Sequence, residues 1–236
     1  MLAKSERESA WREMAKQVAH EIKNPLTPMK LSVQHLERSY KDGAKDWEKR
    51  LEKFTQTLIE QIDALTNIAN EFSNFAKMPK ANLEPINLAQ LISSVVSLYQ
   101  NSDAYQVVIN FNHFEKTAVL ADKDQLIRLF NNLIKNAIQA IPEERKGLIQ
   151  IKFNVVDNNI LVEVCDNGKG ISEAQKERIF TPNFTTKSAG MGLGLAMAKN
   201  MVESCGGNIA FSSEEGIGTI FTVKFPIHDA LKKVTE

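Results

Sequence analysis

Apolar side chains return at helical spacing along the first third of the chain. Trp11, Ala15, Val18, Ile22, Leu26, Met29, Val33 and Leu36 mark one stripe, so a helix is expected over residues 5–41. The polar run Lys41-Asp42-Gly43-Ala44-Lys45 then reads as a turn. A second helical pattern covers residues 46–77, where Leu51, Leu58, Leu65 and Phe72 are interleaved with Phe54, Gln61, Ile68 and Phe75. That is a heptad seam with one polar break. Two helices cannot bury such stripes between themselves. Two hairpins packed as a four-helix bundle can, which predicts a homodimer; a monomer whose hairpin packs on its own second domain is the alternative. Pro25 and Pro28 fall inside the first stripe, and because the stripe continues beyond them they should bend or loosen the helix rather than end it.

The pattern changes near Met78-Pro79, which places a boundary between a domain of residues 1–79 and one of residues 80–236. Beyond it, helical patterns over residues 88–100, 123–141 and 193–204 alternate with strand patterns over 107–112, 119–120, 148–155, 160–166, 208–213 and 219–226. Strands joined by short turns predict a mixed, largely antiparallel sheet with helices on one face. The fold class is therefore α+β, a helical hairpin followed by an α/β sandwich.

Composition narrows the function. The formal net charge is zero, so no nucleic-acid partner is expected. No apolar run reaches membrane-spanning length and the polar start is no signal peptide, so no direct membrane contact is expected in this chain. The cysteines, Cys165 and Cys205, are too few for a disulfide framework and read as reduced thiols of a cytoplasmic protein.

Four clusters carry candidate chemistry. His20 stands two residues from both Val18 and Ile22, so if those face a core it faces water. Glu21 adjoins it and Asn24 follows one turn later on the same face. Asn132 and Asn136 likewise share a helix face, opposite the apolar Leu126, Phe130, Leu133 and Ala137. Asp166-Asn167-Gly168-Lys169-Gly170 follows an apolar strand: the glycines permit a tight turn, and a strand-end carboxylate can accept from an exocyclic amine. Gly190-Met191-Gly192-Leu193-Gly194 opens a helix whose backbone N–H groups can cradle phosphate, and Phe180 to Lys187 offers hydroxyls and a cation just before it. Its spacing is neither that of a Rossmann turn nor that of a P-loop. Each cluster alone has an ordinary reading: a surface histidine, a polar helix face, a plain turn, a surface loop.

Taken in order, the clusters resemble the sensor histidine kinases of two-component systems. His20 to Pro28 is similar to their phosphoacceptor box, Asn132 to Ala137 to the N box, and Asp166 to Gly170 to the G1 box. Phe180 to Lys187 is similar to the F box, Gly190 to Gly194 to the G2 box, and Gly216-Ile217-Gly218-Thr219 to the turn before the last strand. Ala10-Trp11-Arg12 and Glu71 to Pro79 further resemble nitrogen-regulation kinases of NtrY type, while Asn183 departs from the aromatic often found in its loop.

The resemblance implies an ATP-binding domain of the GHKL, or Bergerat, type. It makes His20 the phosphoacceptor for the γ-phosphoryl of ATP and Glu21 the base beside it. It makes Asn24 the amide that positions water against a phosphorylated response regulator receiver domain, hence phosphatase as well as kinase activity. Asn136 would ligate Mg²⁺ with Asn132 in support, and Asp166 would bind the adenine amine. Gly168, Gly170, Gly190, Gly192 and Gly194 would shape the pocket, with Thr186, Lys187 and Thr219 as further binding residues. Chaperone, topoisomerase and mismatch-repair ATPases of the same fold carry a glutamate where this chain has Asn132. Serine kinases of the anti-sigma type lack the hairpin. A nucleotide-binding dimerisation scaffold is the non-enzymatic alternative. The chain resembles the catalytic core of a longer, membrane-anchored sensor.

Overall fold

The computed structural model describes residues 2–43, 46–76, 82–100, 102–111, 118–182, 184–185 and 192–228. The chain divides into two compact units, Met1–Met78 with Asn183–Leu193, and Pro79–Pro182 with Gly194–Glu236.

The first unit is built on two long helices, α1 (Leu2–Lys41) and α2 (Trp47–Ala76). Helix α1 runs through both Pro25 and Pro28. Proline has no N–H and removes the bond to the carbonyl four residues back, here those of Glu21 and Asn24. Between them the Thr27 hydroxyl donates to the Lys23 carbonyl at 3.0 Å. The helix stops at Gly43, whose φ of +64° suits a residue without Cβ. Asp42 N–H donates to Arg38 O at 2.9 Å and Gly43 N–H to Tyr40 O at 3.2 Å. The rings of Tyr40 and Trp47 meet across the turn with centroids 5.3 Å apart. Ile68 is buried, whereas Leu31, Val33, Ile59 and Ile62 stay about half exposed within a single chain.

The second unit contains a five-stranded sheet. Its strands are β2 (Tyr105–Phe111), β4 (Gly147–Val156), β5 (Asn159–Asp166), β6 (Asn208–Glu214) and β7 (Gly218–Pro226). They lie in the order β2-β4-β5-β7-β6, with β2 parallel to β4 and every other pair antiparallel. A two-residue turn at Asp157 and Asn158, both at positive φ, joins β4 to β5. A separate antiparallel pair joins β1 (Glu84–Asn87) to β3 (Ala118–Ala121). The helices are α3 (Leu88–Val96), continued by a 3-10 turn over Ser97–Tyr99, then α4 (Lys123–Ala140), the short α5 (Glu173–Lys176) and α6 (Gly194–Ser204). Asp122 caps α4 by accepting from Gln125 N–H at 3.0 Å.

Burial alternates along the central strands. Ile149, Ile151 and Phe153 of β4, Ile160, Val162 and Val164 of β5, and Phe221, Val223 and Phe225 of β7 point inward. They face a layer holding Leu126, Phe130, Leu133 and Ile134 of α4 with Ala198 and Val202 of α6. The sheet is mixed and largely antiparallel with α4 and α6 packed on it, as the strand pattern implied. Two elements differ. The pattern gave no strand at residues 84–87, because Pro85 lacks a donor; it is accommodated in a two-stranded pair. It also gave no helix at Glu173–Lys176, which is too short to carry a period. No described helix is long and apolar enough to cross a membrane.

Candidate functional site

Helix α1 carries the first group of candidates. His20 and Asn24 are both exposed, one turn apart on one face. Glu21 is half-buried and engaged with a neighbour. Pro25 has no N–H to offer the carbonyl of Glu21, so the backbone ladder of α1 is interrupted within two turns of the exposed histidine.

In the second unit the candidates are arranged along α4. Asn132, Asn136 and Ala140 follow one another at four-residue intervals and form one stripe about 12 Å long. At the Ala140 end stands the turn that leaves β5. Lys169 N–H donates to Ala140 O at 2.9 Å, and a Cβ on Gly168 would lie 2.7 Å from both Cβ and O of Ala140. At the other end stands the start of α6, where a Cβ on Gly194 would lie 2.4 Å from Oδ1 of Asn132. Glycine at both places lets backbone approach the helix closely. Asn136 Nδ2 lies 3.5 Å from Asn132 Oδ1. Asn132 Nδ2 is buried with no hydrogen-bond partner among the described residues, a costly arrangement that an outside acceptor would relieve.

Asp166 closes β5 opposite Thr219 of β7. Its Oδ1 accepts from Gly168 N–H at 2.8 Å and from Thr219 N–H at 3.2 Å. Burial pushes the Asp166 carboxyl above its ordinary range, opposed by those two N–H groups. The carboxylate is thus partly desolvated and fixed in direction, which suits an acceptor for one specific donor. Gly170 holds a φ of +70°, and a Cβ there would collide with Glu214 O at 2.1 Å. Thr219 is buried, and its hydroxyl lies 2.9 Å from that of Ser213.

Structure therefore gathers Asn132, Asn136 and Gly194 at one end of the α4 stripe, and Asp166, Gly168, Gly170 and Thr219 at the other. An adenine-sized base with a polyphosphate is of comparable length, and the amide oxygens of α4 suit a hard cation beside phosphate. His20, Glu21 and Asn24 belong to the other unit. Gly192 has a φ of +64° and lies in the Asn183–Leu193 stretch grouped with that unit. Thr186, Lys187 and Gly190 lie outside the described residues, as does Asn183. Ser213 escaped the sequence reading. It accepts from Ile171 N–H at 2.9 Å and donates to Gly218 O at 2.9 Å, tying the Asp166 turn to Thr219. Its only sequence signal is its place six residues before Thr219, directly across the β6–β7 ladder.

Comparison with known proteins gives this geometry a family. Residues 10–80 match the His Kinase A (phospho-acceptor) domain, and residues 121–229 match the histidine kinase-, DNA gyrase B-, and HSP90-like ATPase. Nitrogen regulation protein NtrY of Azorhizobium caulinodans is 32% identical over 92% of this chain and 29% of its own length. The chain spans less than half of the length of such curated relatives. Among solved structures, the catalytic domain of histidine kinase ThkA is 31% identical, with a TM-score of 0.55 over 61% of this chain and 95% of that one. ThkA in complex with the response regulator protein TrrA is 27% identical, with a TM-score of 0.73 over 95% of this chain and 64% of that one. A phosphoacceptor hairpin followed by an ATPase domain of this kind, with NtrY among its relatives, places the chain in the sensor histidine kinase family.

Proposed function

We propose that this chain phosphorylates His20 with ATP and passes the phosphoryl group to an aspartate of a response regulator receiver domain. The observation that carries this is His20 itself, exposed on α1 beside Glu21 within the segment that matches the phosphoacceptor domain. An imidazole nitrogen of His20 forms the bond to the γ-phosphorus as the bond to the β–γ bridging oxygen breaks and ADP leaves. Glu21 takes the ring proton. Asp166 receives the adenine amine, and Gly168 lets the turn that carries it close directly on Ala140. Asn136, supported by Asn132, would hold Mg²⁺, which neutralises phosphate charge when bound. The glycine run from Gly190 to Gly194, with Thr186 and Lys187, completes the phosphate end.

The helical face of His20 also carries Asn24, whose exposed amide suits the positioning of water against a phosphorylated receiver; this supports a phosphatase activity. Residues 1–79 act as the dimerisation and phosphotransfer domain and residues 80–236 as the ATP-binding domain. The two must meet for transfer, so domain motion gates the reaction. The reduced thiols suit a cytoplasmic site of action.

Incubation with γ-labelled ATP and Mg²⁺ tests this. Label is expected on the protein, stable to alkali and labile to acid, and absent from His20→Ala. Asn24→Ala should keep that label but lose the dephosphorylation of a phosphorylated receiver. A chain that binds ATP without ever becoming labelled would be held inactive or act mainly as a phosphatase, and label that survives His20→Ala would move the acceptor elsewhere.

A further inference from the structure

Between α4 and β4 the chain makes a tight turn, in which Arg145 N–H donates to Pro142 O at 3.0 Å. The Arg145 side chain reaches back from this turn over two others. Its Nη1 donates to the carbonyl of Asn167 at 2.5 Å and to that of Gly168 at 3.1 Å. Its Nη2 donates to the carbonyl of Gly216 at 3.1 Å. One guanidinium thus bridges the Asp166 turn and the β6–β7 hairpin. These are the two segments that supply Asp166, Gly168, Gly170 and Thr219.

The same junction is held by other short contacts. Gly216 N–H donates to Lys169 O at 2.7 Å, and Gly170 packs so closely on Glu214 that no Cβ fits between them. Asn167 fastens the outer side of the turn: its Oδ1 accepts from Leu148 N–H at 2.8 Å and its Nδ2 donates to Lys146 O at 3.0 Å. Arg145 differs from these in being a charged fork. Carbonyl bonds to a planar guanidinium are stronger than neutral ones and fix direction as well as distance. Pulling three carbonyls toward one side also orients their peptide planes. The N–H of Gly168 belongs to the peptide whose carbonyl is that of Asn167, and this N–H is the one that donates to Asp166 Oδ1. The Arg145 contact therefore sets the peptide that aims the carboxylate.

We propose that Arg145 is a positioning residue for nucleotide affinity, holding the Asp166 turn and the β6–β7 hairpin in the relation that lets Asp166 and Thr219 address the base. The proposal rests on the reading of Asp166 as the adenine acceptor. It assigns Arg145 no contact with the nucleotide and no part in the transfer itself, so its loss should appear in binding and not in the chemical step.

The test compares the full chain with Arg145→Ala and Arg145→Lys. Two quantities are measured: the Kd for ADP by calorimetry, and the ATP dependence of His20 labelling. Arg145→Ala should raise Kd and KM by about tenfold and leave the labelling rate at saturating ATP close to that of the parent. Arg145→Lys keeps the charge but not the fork, and should recover only part of the affinity. If Arg145→Ala does not fold, Arg145→Lys alone decides, through its own rise in Kd. A fall in maximal rate or in melting temperature with Kd and KM unchanged would make Arg145 merely structural and overturn the proposal. A parent chain that binds no ADP would instead defeat the reading of the site on which the proposal stands. The two failures are therefore distinct.

Discussion

At the scale of the residue, Asp166 couples binding to stability. Burial raises its carboxyl above the ordinary value, so ionisation costs more in the folded chain than in the unfolded one. Folding therefore gains from the protonated form below the unfolded-state pKa and loses that gain as pH rises through the higher folded value. Asp166→Asn keeps an oxygen for the Gly168 and Thr219 N–H groups and removes the charge. Its melting temperature at neutral pH should equal or exceed that of the parent, while its affinity for ADP collapses; thermal melts with and without nucleotide check both. A loss of stability equal to the loss of binding would contradict this. The sequence made Asp166 visible as a strand-end carboxylate before glycines. It did not make Ser213 or Arg145 visible, because each acts through a contact made only when distant turns meet.

At the scale of the element, glycines placed alike in sequence have unlike costs. Gly170 sits at positive φ with backbone 2.1 Å from where a Cβ would go, so neither neighbour can yield. Gly170→Ala should lose about 2–4 kcal/mol in denaturant unfolding. Gly194 opens α6, and what its Cβ would meet is the end of the Asn132 side chain. That amide can swing aside, so Gly194→Ala should unfold like the parent yet bind Mg²⁺ and nucleotide more weakly. Equal destabilisation of the two variants would refute the distinction. Element type and order were legible because periods of 3.6 and 2 separate cleanly in α2, α4, β4 and β5. The β1 strand was hidden by Pro85, and α5 by its brevity. The partner of Gly194 was hidden because Asn132 lies far from it in sequence and close only once α4 and α6 pack together.

At the scale of the whole molecule, the hairpin leaves Leu31, Val33, Ile59 and Ile62 about half exposed, which a second copy would cover. Light scattering should find a dimer. Ile59→Glu combined with Ile62→Glu should give a monomer that still binds ADP, since the nucleotide residues occupy the other unit. A dimer that survives both charges would place the interface elsewhere. Neither Ile59 nor Ile62 lies on the heptad seam of Leu51, Leu58, Leu65 and Phe72, so this face was not legible from that period, and the handedness of the turn at Gly43 carries no sequence signature. Helix α1 has a mechanical consequence of its own. Pro25 is a natural fulcrum, and the arm from Leu2 to it is about 35 Å long. A bend of about 20° at that fulcrum swings the far end by about 12 Å but carries His20, only five residues away, by about 2.5 Å. The helix is thus geared: a coarse displacement at its distal end arrives at the histidine as a fine adjustment, on the scale that decides whether a phosphoryl group is in reach.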